Sequence, residues 1–288
     1  MLASLLVAAV SASAQAPDGD PFESRNTYRF ASHLLKEGEY LRAAIEFQRY
    51  VYSTSTPPAD LDSVLYNIGL CYRLASKPMA AINYFRKIPN ECPDSPLVEE
   101  SYFQTAFSYL LADRGRESMT YIENHMPLVR DEERRLKIQG LIGLNHLKNR
   151  RWDAAAVHLD SIGKQAPNDP VLTSMTALAH EGRNLPSRNR ALAGLYSTVI
   201  PGTGKMCCGR PIDGVFSLLT IGLSAWQAYD GFSKDGVSSV RGWLYGSIGG
   251  FFYVGNIYGS VVAAQIFNEE QQEGLSKKVE ELINAQSH

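Results

Sequence analysis

Pro201-Gly202-Thr203-Gly204-Lys205 is the stretch of this 288-residue chain whose residue types first suggest chemistry: a glycine-rich turn ending in a lysine. A phosphate loop uses the free amides of such glycines to cradle phosphate, but it needs the Gly-x-x-x-x-Gly-Lys-Ser/Thr spacing and a strand–helix setting. Neither is present, so the stretch reads as a tight turn after a short apolar helix. Asp213 is then expected to cap a helix beginning near Gly214 by accepting from its free amides. The six histidines, His33, His125, His146, His158, His180 and His288, are scattered without a His-Glu-x-x-His or Gly-x-Ser-x-Gly partner pattern. His146 is expected to serve packing, and His158 to lie at the surface or between helices. Cys71 and Cys92 stand either as a bridge or as packed thiols, with the thiol favoured for Cys71. Cys207-Cys208 is too adjacent for an easy disulfide, and no nearby histidine completes a zinc set. The sequence therefore predicts no catalytic residue, no metal and no cofactor: this is not read as an enzyme.

What would position any functional side chain is a pattern returning four times. Small residues recur at Ala43, Ala81, Ser118 and Ala155, in steps of 38, 37 and 37. A bulky apolar residue follows four positions later each time, at Phe47, Phe85, Ile122 and Leu159. A period of this size is produced by helix–turn–helix arrays, because one helical pair cannot bury its apolar face without stacking on the next.

The second unit carries Leu65, Ile68-Gly69, Tyr72, Ala81, Phe85 and Pro93; the first carries Gly38-Glu39-Tyr40, Ala43 and Phe47; the fourth carries Gly143, Trp152, Ala155, Leu159 and Pro167. With these residues the segment resembles tetratricopeptide repeats. The third unit departs, with Ala106 and Tyr109 in place but Ser118 where alanine is usual. The resemblance covers about half the chain and implies a helical solenoid with a concave face lined by the first helix of each pair. Because the units run longer than the usual ~34 residues, longer loops are expected around 53–60 and 91–97. By family register the concave face includes Tyr28, Tyr66, Arg73, Phe103, Phe107 and Leu144, which either anchor a peptide or pack between units. The resemblance thus implies a protein or peptide partner, and no basic carboxylate clamp is visible.

Composition sets limits on partners. Lys and Arg total 28 against 30 Asp and Glu, so no global basic field favours nucleic acid. At the N-terminus, Leu2–Val10 is apolar apart from Ser4, and Ala12-Ser13-Ala14 forms a small-x-small site. Met1–Ala16 is read as an export signal, although it lacks a basic start; the alternative is an apolar first helix.

After Leu185 the chain becomes rich in glycine and poor in charge. Pro201-Gly202-x-Gly204, Gly209-Arg210 and Asp213-Gly214, followed by two apolar helices and Gly255-Asn256-Ile257-Tyr258-Gly259, resemble a module found at the end of exported bacterial repeat proteins. That resemblance implies architecture rather than chemistry. Gly214–Tyr229 would rise about 24 Å, short of a bilayer core of about 30 Å, whereas the uncharged run Trp243–Phe267 is long enough to span. Gly242, Gly246 and Gly250, then Gly255 and Gly259, recur at four-residue intervals and are expected to pack the hairpin, with Asn256 bonded across it. A membrane setting is preferred over a buried hairpin in a soluble domain.

Arg188, Arg190, Lys205 and Arg210 lie in a stretch without acidic residues, and with Trp226 and Trp243 they are expected to contact lipid; a solvated linker is the alternative. The positive-inside tendency would place this cluster in the cytoplasm while the signal exports it, a tension that a hairpin dipping into the outer face of the membrane resolves.

The expected organisation is all-α: a signal peptide at 1–16, a tetratricopeptide-like solenoid at 22–184, a Gly-rich apolar helical hairpin associated with a membrane at 185–268, and a polar C-terminal tail at 269–288 that, with Glu280-Glu281-Leu282-Ile283, reads as a solvated terminal helix. The expected function is an exported, periplasmic scaffold that binds a protein or peptide and is held at a membrane, without a small-molecule substrate. The alternatives are a soluble periplasmic envelope-assembly factor and a membrane-assembly subunit whose C-terminal module does the work.

Overall fold

The computed structural model describes residues 24–53 and 57–287, and among these every regular element is helical. The export-type segment at 1–16 lies outside the described residues. The helices run in the order α1 (Ser24–Lys36), α2 (Tyr40–Ser53), α3 (Leu61–Leu74), α4 (Pro78–Phe85), α5 (Lys87–Glu91), α6 (Val98–Leu111), α7 (Gly115–His125), α8 (Glu132–Lys148), α9 (Trp152–Gly163), α10 (Pro170–Arg183), α11 (Arg190–Val199), α12 (Thr203–Cys207), α13 (Pro211–Asp235) and α14 (Val240–Ser287). The chain divides into two compact units: residues up to Leu141 with Ser287–His288, and Ile142–Gln286.

In the first unit, α1/α2, α3/α4 and α6/α7 form antiparallel pairs. Their small crossing residues, Ala43, Ala81 and Ser118, are buried, as are the plugs Phe47, Phe85 and Ile122. A Cβ added at Gly69 would lie 2.6 Å from the Phe85 ring, so the Gly-to-Phe pairing is a steric fit. The serine of the third repeat has its own reason: Ser118 Oγ donates to the Ala106 carbonyl at 2.8 Å, satisfying a hydroxyl that burial would otherwise penalise. Burial pushes the Cys71 thiol up to about 12, and the four cysteines are free thiols.

The turns inside the repeats show a regularity that residue types conceal. Gly38, Ser76, Asp113 and Arg150 all have positive φ, between 56° and 79°. Each ends its helix in a Schellman motif: Ser76 N donates to Arg73 O (3.0 Å) and Lys77 N to Tyr72 O (2.9 Å), with equivalent pairs at the other turns. Only the first repeat places glycine there. A non-glycine residue held left-handed costs about 1 kcal/mol or more, partly offset by the greater freedom of glycine in the unfolded chain. Ser76→Gly and Asp113→Gly are each expected to raise stability by about 0.5 kcal/mol, read from denaturant midpoints. A fall in midpoint would show that those side chains matter more than the turn geometry.

In the second unit, α9 and α10 pair, and the end of α14 packs back on them. Trp152 Nε1 donates to Gln272 Oε1 (2.8 Å), Arg150 Nε to Ser276 Oγ (2.9 Å), and Lys278 Nζ to Glu181 Oε1 (2.6 Å). Leu275, Val279 and Ile283 are buried. Residues 269–287 are helical as expected, but they are not solvated all round: they continue α14 without a break and bury one face.

The hairpin helices are also longer than expected. α13 begins at Pro211, with Arg210 at its N-cap and no side-chain cap bond, so Asp213 sits within the first turn instead of capping it. Proline at the first helical position needs no amide partner and starts the helix early.

Candidate functional site

The six residues expected on the concave face do not behave alike. All lie on the first helices of their pairs, but Phe107 is 2 % exposed and Leu144 0 %, so these two are packing residues. Tyr28 packs against Phe47 and Tyr50, with ring centroids 5.6 and 5.4 Å away. Tyr66, Arg73 and Phe103 are half-buried neighbours. Gln104 Nε2 donates to the Tyr66 hydroxyl (3.4 Å), and the Phe103 ring stacks on Phe107 (6.0 Å). Arg73 lies over the Phe107 ring at 5.7 Å, and its Nη1 donates to the Ser287 carbonyl of the same unit at 2.6 Å. Its Nε is buried without a partner. Burial, opposed by Glu100 and Tyr66, pulls its pKa down, while burial and Glu100 push Tyr66 up.

A cavity of about 440 Å³ on the same unit was not legible in the sequence. Arg86, Arg116, Asn90 and Asn124 line it with Tyr109 and His125. The Tyr121 ring stacks on His125 at 3.9 Å, and burial pushes its phenol up to about 12. Tyr121 and His125 stand four residues apart on one helix face, a spacing that brings their rings together but does not by itself mark a cavity. In the second unit, His146 packs edge-on to His158 (6.4 Å); burial, then His158, lowers its pKa. Among the described residues, no group of three or more His, Cys, Asp or Glu gathers as a metal set.

The glycine-rich turn is built for packing. Gly202 is left-handed (φ 92°), and a Cβ there would strike the Gly214 carbonyl. The amide of Gly204 is already committed, donating to Ser197 Oγ at 3.0 Å. Ser197 Oγ in turn shares a hydrogen bond with Ser260 Oγ (2.7 Å), while Asn256 Nδ2 donates to the Ser197 carbonyl (3.3 Å). Asn256 thus makes the bond across the module that its apolar surroundings require. Arg188 is tied to α14 as well: its amide donates to Asn268 Oδ1 (2.7 Å), Asn268 Nδ2 donates back to its carbonyl (2.9 Å), and its guanidinium lies over Phe267 (5.3 Å). Arg190 and Arg210 are exposed.

The packing face of α14 differs from the expected four-residue ladder. Gly242, Gly249, Asn256 and Ala263 are buried at seven-residue intervals. Gly250 and Gly255 face open space, with nothing within 4 Å of an added Cβ, and Gly246 meets only Ala228 and Phe232 at 3.8 and 4.0 Å. Gly259 abuts the Lys205 stem. Each four-residue step turns about 40° past a full circle, whereas seven residues return nearly to the same face. At the tip, a Cβ on Gly231 would lie 2.7 Å from Gly242 N, so the two helices cross nearly backbone to backbone.

The outward faces are apolar. Phe216, Leu219, Leu223 and Trp226 on α13, and Trp243, Leu244, Phe251 and Val254 on α14, are all exposed. Charge is confined to the ends: Arg210 and Asp213 at the base, and at the tip Asp230, which pairs with Lys234 (2.9 Å) and Arg241 (3.3 Å). By length and composition α14 is long and apolar enough to cross a membrane, and 22 % of its most apolar window is buried.

Comparison with known families bears on the array. Residues 63–95, spanning α3 to α5, match the family described as tetratricopeptide repeat. That match supports a tetratricopeptide-repeat reading. The recurring Schellman turns and small-to-bulky pairings carry the same construction into the repeats on either side. No curated protein and no solved structure matches the chain.

Proposed function

We propose that the tetratricopeptide-like array captures a protein or peptide and that α13 with the first half of α14 holds it at a membrane. Repeats of this family generally mediate protein–protein interaction, which supports the first half. The apolar outer surface of α13 and α14 carries the second half, because an apolar surface of that extent on a soluble monomer is unusual and needs a cover. The uncharged stretch from Asp213 to Asp230 rises about 26 Å, close to the hydrocarbon thickness. Trp226 and Trp243 near one end, and Tyr196 and Tyr258 near the other, suit the headgroup region, where amphipathic rings concentrate. The export-type segment supports placing the assembly on the periplasmic side of a bacterial envelope.

Full-length protein is expected to stay with membranes through carbonate washing and to require detergent; release by carbonate would overturn the attachment. On the array, Tyr28, Tyr66, Arg73 and Phe103 remain half-buried after Phe107 and Leu144 drop out, and of these Tyr66 and Phe103 are the neighbouring aromatic anchors. Tyr66→Ala with Phe103→Ala is expected to lower recovery of co-purified partner at least tenfold, since anchor truncations cost about 2 kcal/mol each. Undiminished recovery with an unchanged circular dichroism spectrum would move the partner to another face.

A further inference from the structure

We propose that the cavity at the base of the hairpin holds the headgroup of an aminophospholipid, a zwitterion bearing a phosphate and a primary ammonium. The inference rests on the membrane attachment proposed above. The cavity, about 550 Å³, is lined by Lys205, Asp213, Ser217, Thr220 and Asn256 on its polar side, and by Phe216, Phe251 and Phe252 on its apolar side. It lies where the uncharged stretch of α13 begins, at the level at which a phospholipid changes from headgroup to acyl chain.

Three groups there are left without a charged partner or, for Asn256 Oδ1, a hydrogen-bonding partner among the described residues. Lys205 Nζ donates to Ser217 Oγ at 2.9 Å, a neutral hydroxyl, and among the described residues no carboxylate pairs with it. The Ser217 hydroxyl is itself spent on the Asp213 carbonyl (2.8 Å). The Asp213 carboxylate is exposed beside the cavity and has no cation paired with it among the described residues. Asn256 is 3 % exposed, and its Oδ1 is buried with no donor. Lys205 therefore offers a site for an anion, the exposed Asp213 carboxylate offers one for a cation, and Asn256 Oδ1 is a buried acceptor without a donor. A phosphate with a primary ammonium supplies both. A choline headgroup has the same charges but no N–H, and a glycerol headgroup has donors but no cation for Asp213. Phe216 and Phe251, 66 % and 77 % exposed, flank the cavity as a surface for the acyl chains.

The test uses full-length protein reconstituted in vesicles of phosphatidylethanolamine, phosphatidylcholine and phosphatidylglycerol in equal parts. The protein is then extracted in mild detergent, and the retained lipids are counted by native mass spectrometry. Phosphatidylethanolamine is expected to be retained about tenfold over phosphatidylcholine, the effect of one charge-assisted hydrogen bond. Asp213→Asn, an exposed change, is expected to bring the two lipids to parity, and Lys205→Gln to lower retention of all three. Equal retention by the unaltered protein, or a preference for phosphatidylglycerol, would overturn the headgroup assignment while leaving attachment standing. An Asp213→Asn variant that keeps the full preference would also overturn it. Protein that associates with none of the vesicles would overturn the attachment itself, and the headgroup site with it.

Discussion

Leu219→Lys combined with Leu223→Lys is expected to release the protein from membranes. The two leucines lie one turn apart near the middle of the uncharged stretch of α13, and both are more than half exposed, so no protein core is disturbed. A lysine at the centre of a spanning helix costs about 2.5–3.5 kcal/mol on insertion scales, so the pair costs about 5–7 kcal/mol. That is a factor of more than about a thousand in partitioning. The measurement is the carbonate-resistant fraction, with Leu219→Ile and Leu223→Ile as the control that keeps the surface apolar. If the double lysine variant remains carbonate-resistant and folded, the outer face of α13 does not meet hydrocarbon, and another cover must be sought.

Trp152→Ala is the second large effect, and it acts on folding. Trp152 is nearly buried: its ring fills the space left open by Gly182, and its Nε1 donates to Gln272 of α14. Truncating such a residue costs about 3–5 kcal/mol. For a unit of this size that is a drop in Tm on the order of 10 °C. Trp152→Phe keeps most of the packing and loses the indole donor, leaving Gln272 Oε1 unbonded, so a smaller loss of about 1–2 kcal/mol is expected. Equal losses for the two variants would assign the stability to the hydrogen bond; a negligible loss for alanine would mean that the end of α14 does not hold α9 and α10. A truncation at Asn184 would remove Gln272 together with the hairpin and so confuse a folding defect with a loss of attachment. Surface substitutions on α13 avoid that confusion.

Where one physical cause dominated, the sequence was readable. Ala43, Ala81 and Ala155 are small because helices cross closely there, and Phe47, Phe85 and Leu159 are bulky because they fill the adjoining grooves. Both causes act on residue type, so both left a period. The left-handed turns at Ser76, Asp113 and Arg150 act on backbone angle, which these residues tolerate without advertising it; only Gly38 showed the signal. In the terminal helix the charge of Glu280-Glu281 masks Leu275, Val279 and Ile283, which stand at four-residue spacing on one face. Phe107 and Leu144 show the limit of register alone: a first-helix position faces a partner or a neighbouring helix with the same side chain. The cavity beside Lys205 and Asn256 assembles residues from α12, α13 and α14, and no linear spacing encodes that meeting.

The continuity of α14 has a mechanical consequence. Its 48 residues make a rod of about 72 Å with an unbroken ladder of backbone hydrogen bonds and no proline at which to bend. One half carries the apolar surface of the hairpin, and the other lies along α9 and α10. A tilt or rotation imposed on the hairpin by its surroundings therefore meets no proline kink on its way along the rod. It arrives as torque at Leu275, Val279 and Ile283, and the last helices of the solenoid register it as a change in their own packing.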